Sequence, residues 1–193
     1  MILMIRGEGW SKPFGAARDY WLRSNVEVQM LACIDVDYRE RGAVAACVLF
    51  DSWADGQSTA EVVKEIAHIE PYQPGQFYRR ELPCLLAVLA DVPELPTTIV
   101  GDGYVWLAKG RPGLGAHLYE ALGRRTPVIG VAKSPFIGAP AEPVRRGGSQ
   151  RPLYVSAAGM NRLIAAQLVQ AMHGPYRLPT LLRRVDQLCR RRT

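Results

Sequence analysis

The segment at residues 69–86 reads "IEPYQPGQFYRRELPCLL" and joins a proline-rich turn to an apolar helix. The two prolines of the turn restrict its backbone, because each proline ring fixes φ. Leucines then recur at helical spacing, which predicts a helix over residues 79–92. Pro83 is compatible with this helix only in the first turn, where a missing N–H has no intrahelical partner. Glu81 falls in the same turn, so a carboxylate is expected directly after the rigid turn.

Three apolar segments precede this turn, at residues 29–38, 42–51 and 58–70. Turn signals separate them, namely Gly42 and the pair Asp55-Gly56. Short connections of this kind favour antiparallel neighbours, so the sequence predicts three consecutive antiparallel strands.

Helical and strand-like segments alternate after residue 92. The predicted strands are 97–102, 127–133 and 152–157, and the predicted helices are 113–125, 160–174 and a basic amphipathic helix at 179–193. Three antiparallel strands followed by alternating helices and parallel strands imply an α/β fold, a mixed sheet flanked by helices. The ribonuclease H-like arrangement has this order, but element order alone does not distinguish it from other mixed-sheet folds.

The composition is that of an ordinary globular protein. The 193 residues are 48% hydrophobic and 22% charged, so residues 1–193 are predicted to form a single domain. No apolar run approaches the ~20 residues needed to cross a bilayer. The apolar stretch near the start is too short for a secretory signal, so a cytoplasmic protein without membrane contact is expected.

The charge balance favours a polyanionic partner. Lysine and arginine number 24 against 18 acids, a formal net charge of +6. Arginine binds phosphate bidentately, and phosphate contacts release counterions, so nucleic acid is the expected partner class. The four cysteines have no metal-ligand spacing, which argues against a zinc site or a disulfide framework.

Two acids end predicted strands. Asp35 lies near the end of the first strand, and Asp102 ends the strand at 97–102. If these strands are parallel neighbours, their carboxyl ends meet at one edge of the sheet, and the helix between them brings Glu81 to the same place. Three carboxylates repel one another unless a cation compensates them, and oxygen ligands suit magnesium or manganese. Such a metal supports phosphodiester hydrolysis. Each acid alone also fits a role as a turn former or helix cap.

Five motifs resemble those of the endonuclease V family and occur in the family's order. They are "CIDVDY" (33–38), "PYQPGQFYRRELPCLL" (71–86), "GDGYV" (101–105), "VIGVAK" (128–133) and "GPYRLP" (174–179). The proline–tyrosine block with its downstream glutamate is specific, whereas "GVAK" alone would be a weak match. The family consists of ribonuclease H-like nucleases that cut nucleic acid near inosine, the product of adenine deamination.

The resemblance implies a role for each of several residues. It implies metal ligation by Asp35, Glu81 and Asp102, a scissile-phosphate contact from Lys133, a wedge at Pro71, Tyr72, Gln73 and Pro74, and a base pocket at Gly75, Gly103, Gly113 and Leu114. The wedge would fill the gap that an extruded base leaves in the stack. The implied enzyme requires Mg²⁺, with Mn²⁺ as a substitute. It would hydrolyse the second phosphodiester 3′ to inosine in DNA or RNA and leave 3′-hydroxyl and 5′-phosphate ends.

Three departures from the family pattern affect the expected activity. Tyr104 replaces the histidine of the family's "DGHG", Ala108 falls where a second histidine is expected, and the segment at 156–166 lacks the further acid that the family places near its last helix. His117 is expected to be structural. Loss of an acid–base group typically lowers the rate ~10²–10⁴-fold, so a weakened enzyme is expected.

Two other functions stay open from the sequence. The first is a catalytically impaired family member that binds nucleic acid without cutting it, and the second is a scaffold protein with no nucleic-acid role. The preference between DNA and RNA is also open, because no residue can be assigned to a ribose 2′-hydroxyl.

Overall fold

The computed structural model describes residues 29–71 and 73–191; residues 1–28, Tyr72 and residues 192–193 lie outside the described part. The strands are β1 Leu31–Tyr38, β2 Ala43–Phe50, β3 Ala60–Ile66, β4 Thr98–Asp102, β5 Trp106–Ala108, β6 Arg111–Pro112, β7 Val128–Ala132, β8 Glu142–Val144 and β9 Leu153–Ala158. The helices are α1 Phe77–Leu89, α2 Leu114–Ala121, α3 Arg162–Ala171 and α4 Thr180–Arg190. The prediction of a single domain over 1–193 stays a prediction.

Seven strands form one mixed sheet in the order β3-β2-β1-β4-β7-β9-β8. β1, β2 and β3 are antiparallel neighbours, whereas β4 runs parallel to both β1 and β7. The predicted mixed α/β sheet is therefore confirmed. Ile34 of β1 lies opposite Gly101 of β4, so Asp35 and Asp102 come next, side by side, where β4 ends and β1 continues along β2 alone.

The last part of the sheet differs from the prediction of parallel strands alone. β9 runs antiparallel to β7. A parallel return needs a crossover of a dozen or more residues, usually a helix. The segment between β7 and β9 instead carries only the short strand β8, which pairs with the outer edge of β9. The hairpin of β5 and β6 was also missed, because strands of two or three residues have no periodicity to detect.

Helices cover both faces of the sheet. Alternate residues of β1 point to opposite faces, so Leu31 and Cys33 join one buried cluster while Ala32 and Ile34 join the other. α3 and α4 pack on the first face, and α1 and α2 pack on the second. By the same alternation, Asp35 lies on the face of β1 that packs against α4, whereas Glu81 comes from α1 on the opposite face of the sheet. The described residues contain no helix that is both long enough and apolar enough to span a bilayer.

Helix α1 begins earlier than its sequence spacing predicts. It starts at Phe77, so Pro83 is its seventh residue and lies inside the helix, not in the first turn. The ring of Phe77 packs edge-on against Tyr38 at 6.1 Å between centroids, which anchors the added residues. Glu81 consequently lies in the second turn, where it is only 9% exposed.

Candidate active site

Three predicted metal ligands meet at one edge of the sheet. Asp35, Glu81 and Asp102 all line a cavity of about 690 Å³ at the carboxyl ends of β1 and β4. This volume lies within the usual range for small-molecule sites. The parallel pairing of β1 and β4 brings the two aspartates together, and the packing of α1 on the sheet adds the glutamate.

Burial and mutual repulsion raise the pKa of two of these carboxyls. Burial is the larger cause at Asp35, whose pKa is raised to about 6; Asp102 and Asp186 also raise it, while the Val36 N–H lowers it. The pKa of Glu81 is raised to about 8, first by burial and then by Asp35 and Asp102. The site thus concentrates negative charge that water does not compensate, which is the electrostatic condition for binding a cation.

One carboxylate oxygen in this site lacks any partner. Oε2 of Glu81 is buried and makes no hydrogen bond within the described residues. A buried polar atom without a partner is costly, so such an atom in a native fold calls for an ion or water beside it. An all-oxygen donor set is also the set that Mg²⁺ or Mn²⁺ prefers.

Basic side chains of the protein itself pair with two carboxylates at the rim of the cavity. Lys133 Nζ lies 2.7 Å from Asp102 Oδ2, and Arg190 Nε lies 3.0 Å from Asp186 Oδ1. In residues 29–71 and 73–191, no three Asp, Glu, His or Cys side chains lie close enough together, as they stand, to hold a metal ion. Exposed ion pairs of this kind contribute little, so a divalent cation can displace them at low cost.

Asp186 is an acid of this site that sequence reasoning missed. It lies on α4 and lines the same cavity as Asp35 and Glu81. The segment at 156–166 lacks an acid, as the sequence shows, and a further carboxylate beside the cavity comes instead from the last helix. Its signal was an acid directly beside the apolar stripe of an amphipathic helix, since the neighbouring Val185 is buried.

The predicted base-pocket residues line the same cavity as the carboxylates. Gly75 and Gly103 have positive φ, and a Cβ on either would project into open space. A Cβ on Gly113 would lie 2.4 Å from the carbonyl oxygen of Tyr104, so only glycine lets these two segments approach. Leu114, the first residue of α2, also lines the cavity. The four residues predicted for the base pocket therefore lie around one space beside the carboxylates, and their role in base binding stays a prediction.

Comparison with known proteins identifies the family. The Endonuclease V family model matches residues 19–167. Endonuclease V from Azotobacter vinelandii is 34% identical over 189 residues, which is 86% of this chain and 84% of that protein. The chain belongs to the endonuclease V family.

Solved endonuclease V structures share the fold. That of Streptomyces avermitilis is 33% identical, with a TM-score of 0.69 over 84% of this chain and 80% of that one. That of Ciona intestinalis, solved with a 23mer DNA containing an inosine followed by a ribo-adenosine, is 19% identical with a TM-score of 0.73 over 85% of each chain. The predicted ribonuclease H-like fold is thus confirmed.

The endonuclease V wedge is described only in part. Tyr72 lies outside the described residues. Pro71, Gln73 and Pro74 are exposed, and they directly precede Gly75, which lines the cavity. The wedge role of these four residues stays a prediction.

Two aromatic rings form a wall that sequence reasoning did not assign to the endonuclease V site. Tyr78 and His117 stack with centroids 3.6 Å apart and an interplanar angle of 12°, and both line the cavity. Burial lowers the pKa of His117, which favours the neutral imidazole. His117 therefore lines the cavity, and the structural role expected of it stays a prediction.

Tyr104, which replaces the family histidine, binds the loop after β7. Its hydroxyl donates to the carbonyl of Ser134 at 2.7 Å and accepts from the N–H of Phe136 at 3.0 Å. These bonds fix the residues that follow Lys133, so Tyr104 supports the loop next to the carboxylates.

Proposed function

We propose that this endonuclease V hydrolyses the second phosphodiester 3′ to inosine in nucleic acid with the help of a divalent cation. Family membership supports a nuclease, and the inosine-containing DNA bound by the Ciona relative supports the substrate class. The observation that carries the proposal is the convergence of Asp35, Glu81 and Asp102 on a cavity large enough for a base.

The carboxylates would hold the metal ion. Asp35, Glu81 and Asp102 would supply the oxygen ligands, and Asp186, which lines the same cavity, would add a fourth. Mg²⁺, with Mn²⁺ as a substitute, would supply an activated water and stabilise charge on the leaving oxygen. Lys133, which contacts Asp102 in the described structure, would turn to the scissile phosphate as a point charge.

The cavity would receive the extruded base. Gly75 and Gly103 leave its entrance open, and Leu114 adds an apolar contact. The stacked rings of Tyr78 and His117 provide a flat surface against which a purine can pack. The wedge at residues 71–74 would fill the gap in the strand, since extrusion of a base requires the stack to be held apart.

Proton transfer is the step for which the chain departs most from the family. Tyr104 and Ala108 stand where the family has histidines, so the imidazole acid expected at those positions is missing and slower cleavage stays the prediction. DNA and RNA both fit the proposal. A cytoplasmic location stays a prediction as well.

Cleavage of a labelled single-stranded oligonucleotide with one inosine tests the proposal. We expect a product with a 3′-hydroxyl end in Mg²⁺ or Mn²⁺ and none in EDTA. The variant Asp35→Asn should abolish cleavage while the strand still binds. Asp91→Asn is the matched control, because Asp91 is exposed and pairs with Lys64 away from the cavity.

Other outcomes separate the rival functions. A wild-type protein that retards the inosine strand but never cuts it would support a binding module. Indifference to any oligonucleotide at all salt concentrations would support a scaffold role.

A further inference from the structure

A second opening adjoins the cavity of about 690 Å³, here called the base cavity, at its carboxylates. This downstream cleft has a volume of about 260 Å³ and is lined by Lys133, Arg183 and Gln187 in addition to shared acids. Asp35, Asp102 and Asp186 line both the downstream cleft and the base cavity. The two openings therefore adjoin at the carboxylates, so a strand that extends from the base cavity past these acids can enter the downstream cleft.

Arg183, which lines this cleft, carries an aromatic ring beside its guanidinium. The guanidinium carbon of Arg183 lies 4.9 Å from the centroid of the Tyr176 ring. Tyr176 is 59% exposed, and Arg183 is exposed as well. Within the described residues, the Arg183 guanidinium makes no other contact that would occupy it. Both groups are thus free to meet a ligand from solvent.

The backbone that carries Tyr176 is firmly held, although its ring is exposed. Arg146, which is only 6% exposed, donates to the carbonyl of Tyr176 at 3.2 Å. Arg177 donates to the carbonyl of Pro152 at 2.8 Å and also to the carbonyl of Lys133. The backbone at Tyr176 is therefore tied in position relative to Lys133. Pre-positioned groups of this kind lose less conformational entropy when they bind.

The chemistry of this pair matches a single-stranded nucleotide. Exposed aromatic rings next to basic side chains bind single strands, because any base can stack on the ring while the cation contacts the backbone. Arg145 and Arg151 in the adjoining loop are also exposed, so the surroundings repel cationic partners and attract polyanions.

We propose that Tyr176 and Arg183 bind the nucleotide on the 3′ side of the cleaved bond, Tyr176 by stacking on its base and Arg183 by contacting its phosphate. This inference rests on the proposed function, which places inosine in the base cavity and the cut 3′ to it. The bound nucleotide is then the second one after inosine.

Removal of the ring and removal of the base should have the same effect. We compare an inosine oligonucleotide that has an ordinary base at this second position with one that is abasic there. For the wild type, loss of the base should lower kcat/KM about 5- to 150-fold, the range expected for one base stacked on an aromatic side chain. Tyr176→Ala should show that loss with the intact strand and little further loss with the abasic strand.

Tyr176→Phe and Arg124→Gln are controls, and Arg183→Gln tests the phosphate contact. Tyr176→Phe keeps the ring and should behave as the wild type. Arg183→Gln should lower the slope of log Kd against log salt by about 0.7, the value for one phosphate contact with a single strand. Arg124→Gln should leave the slope unchanged, because Arg124 follows α2 at the opposite end of the sheet and pairs with Glu120.

The inference is overturned if loss of the Tyr176 ring and loss of the base lower kcat/KM independently of each other. If the abasic site lowers kcat/KM as much in Tyr176→Ala as in the wild type, the ring does not bind that base. If the wild type cuts neither strand, the proposed function fails, and the same comparison is then made with Kd values. Unfolding midpoints near that of the wild type ensure that each variant is folded.

Discussion

Glu81 is a buried carboxyl whose pKa, at about 8, lies well above its ordinary value of 4.5. Between these values the folded protein holds a proton that the unfolded chain releases. The free energy of unfolding of the metal-free protein therefore falls as the pH rises from about 4.5 to 8. Asp35, with a pKa of about 6, adds a smaller loss at the lower end of this range.

We predict that Glu81→Gln weakens this pH dependence in the metal-free protein. The amide cannot ionise, so the decrease in unfolding free energy between pH 5 and pH 8 should shrink by an amount on the order of 1–3 kcal/mol. Denaturant unfolding in EDTA at both pH values measures it. Glu65→Gln, an exposed site on β3, is the control. A slope equal to the wild-type slope in Glu81→Gln would contradict the prediction.

Individual site residues differed in how well the sequence located them. Asp35 and Asp102 could be found because each directly follows an apolar run of its strand, and parallel pairing brings such positions together. Asp186 could not, because helical periodicity tells which side of α4 is apolar but not where that helix docks. The pairing of Tyr78 with His117 also depends on how α1 packs against α2, which no local pattern encodes.

Among the elements, α4 is the one that ties the site to the rest of the fold. Arg39, in the turn between β1 and β2, donates to the backbone carbonyls of Cys189 and Arg191 at the end of this helix. Its guanidinium also pairs with Asp37 at 2.7 Å. Near the same end, the Cys189 thiol donates to the Asp35 carbonyl at 3.2 Å. These contacts hold α4, and thus Asp186, against β1.

We predict that Arg39→Gln loosens α4 and lowers metal affinity. The last turn of the helix would lose its bonds to the β1–β2 turn, at a cost of about 1–2 kcal/mol in unfolding free energy. Asp186 would be less well positioned, so Mn²⁺ should bind more weakly by titration calorimetry. Arg41→Gln changes the same turn and the same charge at an exposed position and should have neither effect. Unchanged Mn²⁺ affinity in Arg39→Gln would argue against a role for α4 in the site.

Elements with strong periodicity were predicted well, and short or edge elements were not. The three antiparallel strands and the helices carry enough apolar residues to set their own pattern. β5, β6 and β8 are held by tertiary pairing over two or three residues, so sequence alone treats them as loop. The direction of β9 depends on the absence of a crossover helix, a property of the connection and not of the strand.

At the scale of the whole molecule, the site gathers residues from β1, α1, β4 and α4. Folding must bring four negative groups together, which costs free energy until a cation compensates them. A cation that binds only the folded protein returns this free energy through mass action. Metal binding and global stability are therefore coupled.

We predict that Mg²⁺ or Mn²⁺ stabilises the wild type against unfolding. At a concentration 100 times the dissociation constant the gain should be about 2.7 kcal/mol. Asp35→Asn should lose most of the gain, because it removes a ligand and part of the repulsion. Thermal unfolding with and without metal measures the difference, and Asp91→Asn should retain it. An equal gain in Asp35→Asn would place the bound metal elsewhere.

The position of α4 in the chain has a consequence for biosynthesis. Residues 29–158 can complete the sheet before Asp186 and its helix have left the ribosome. A nascent chain would then hold an ordered sheet next to a cavity that still lacks Asp186, and this fourth carboxylate would arrive only once the helix had emerged and docked.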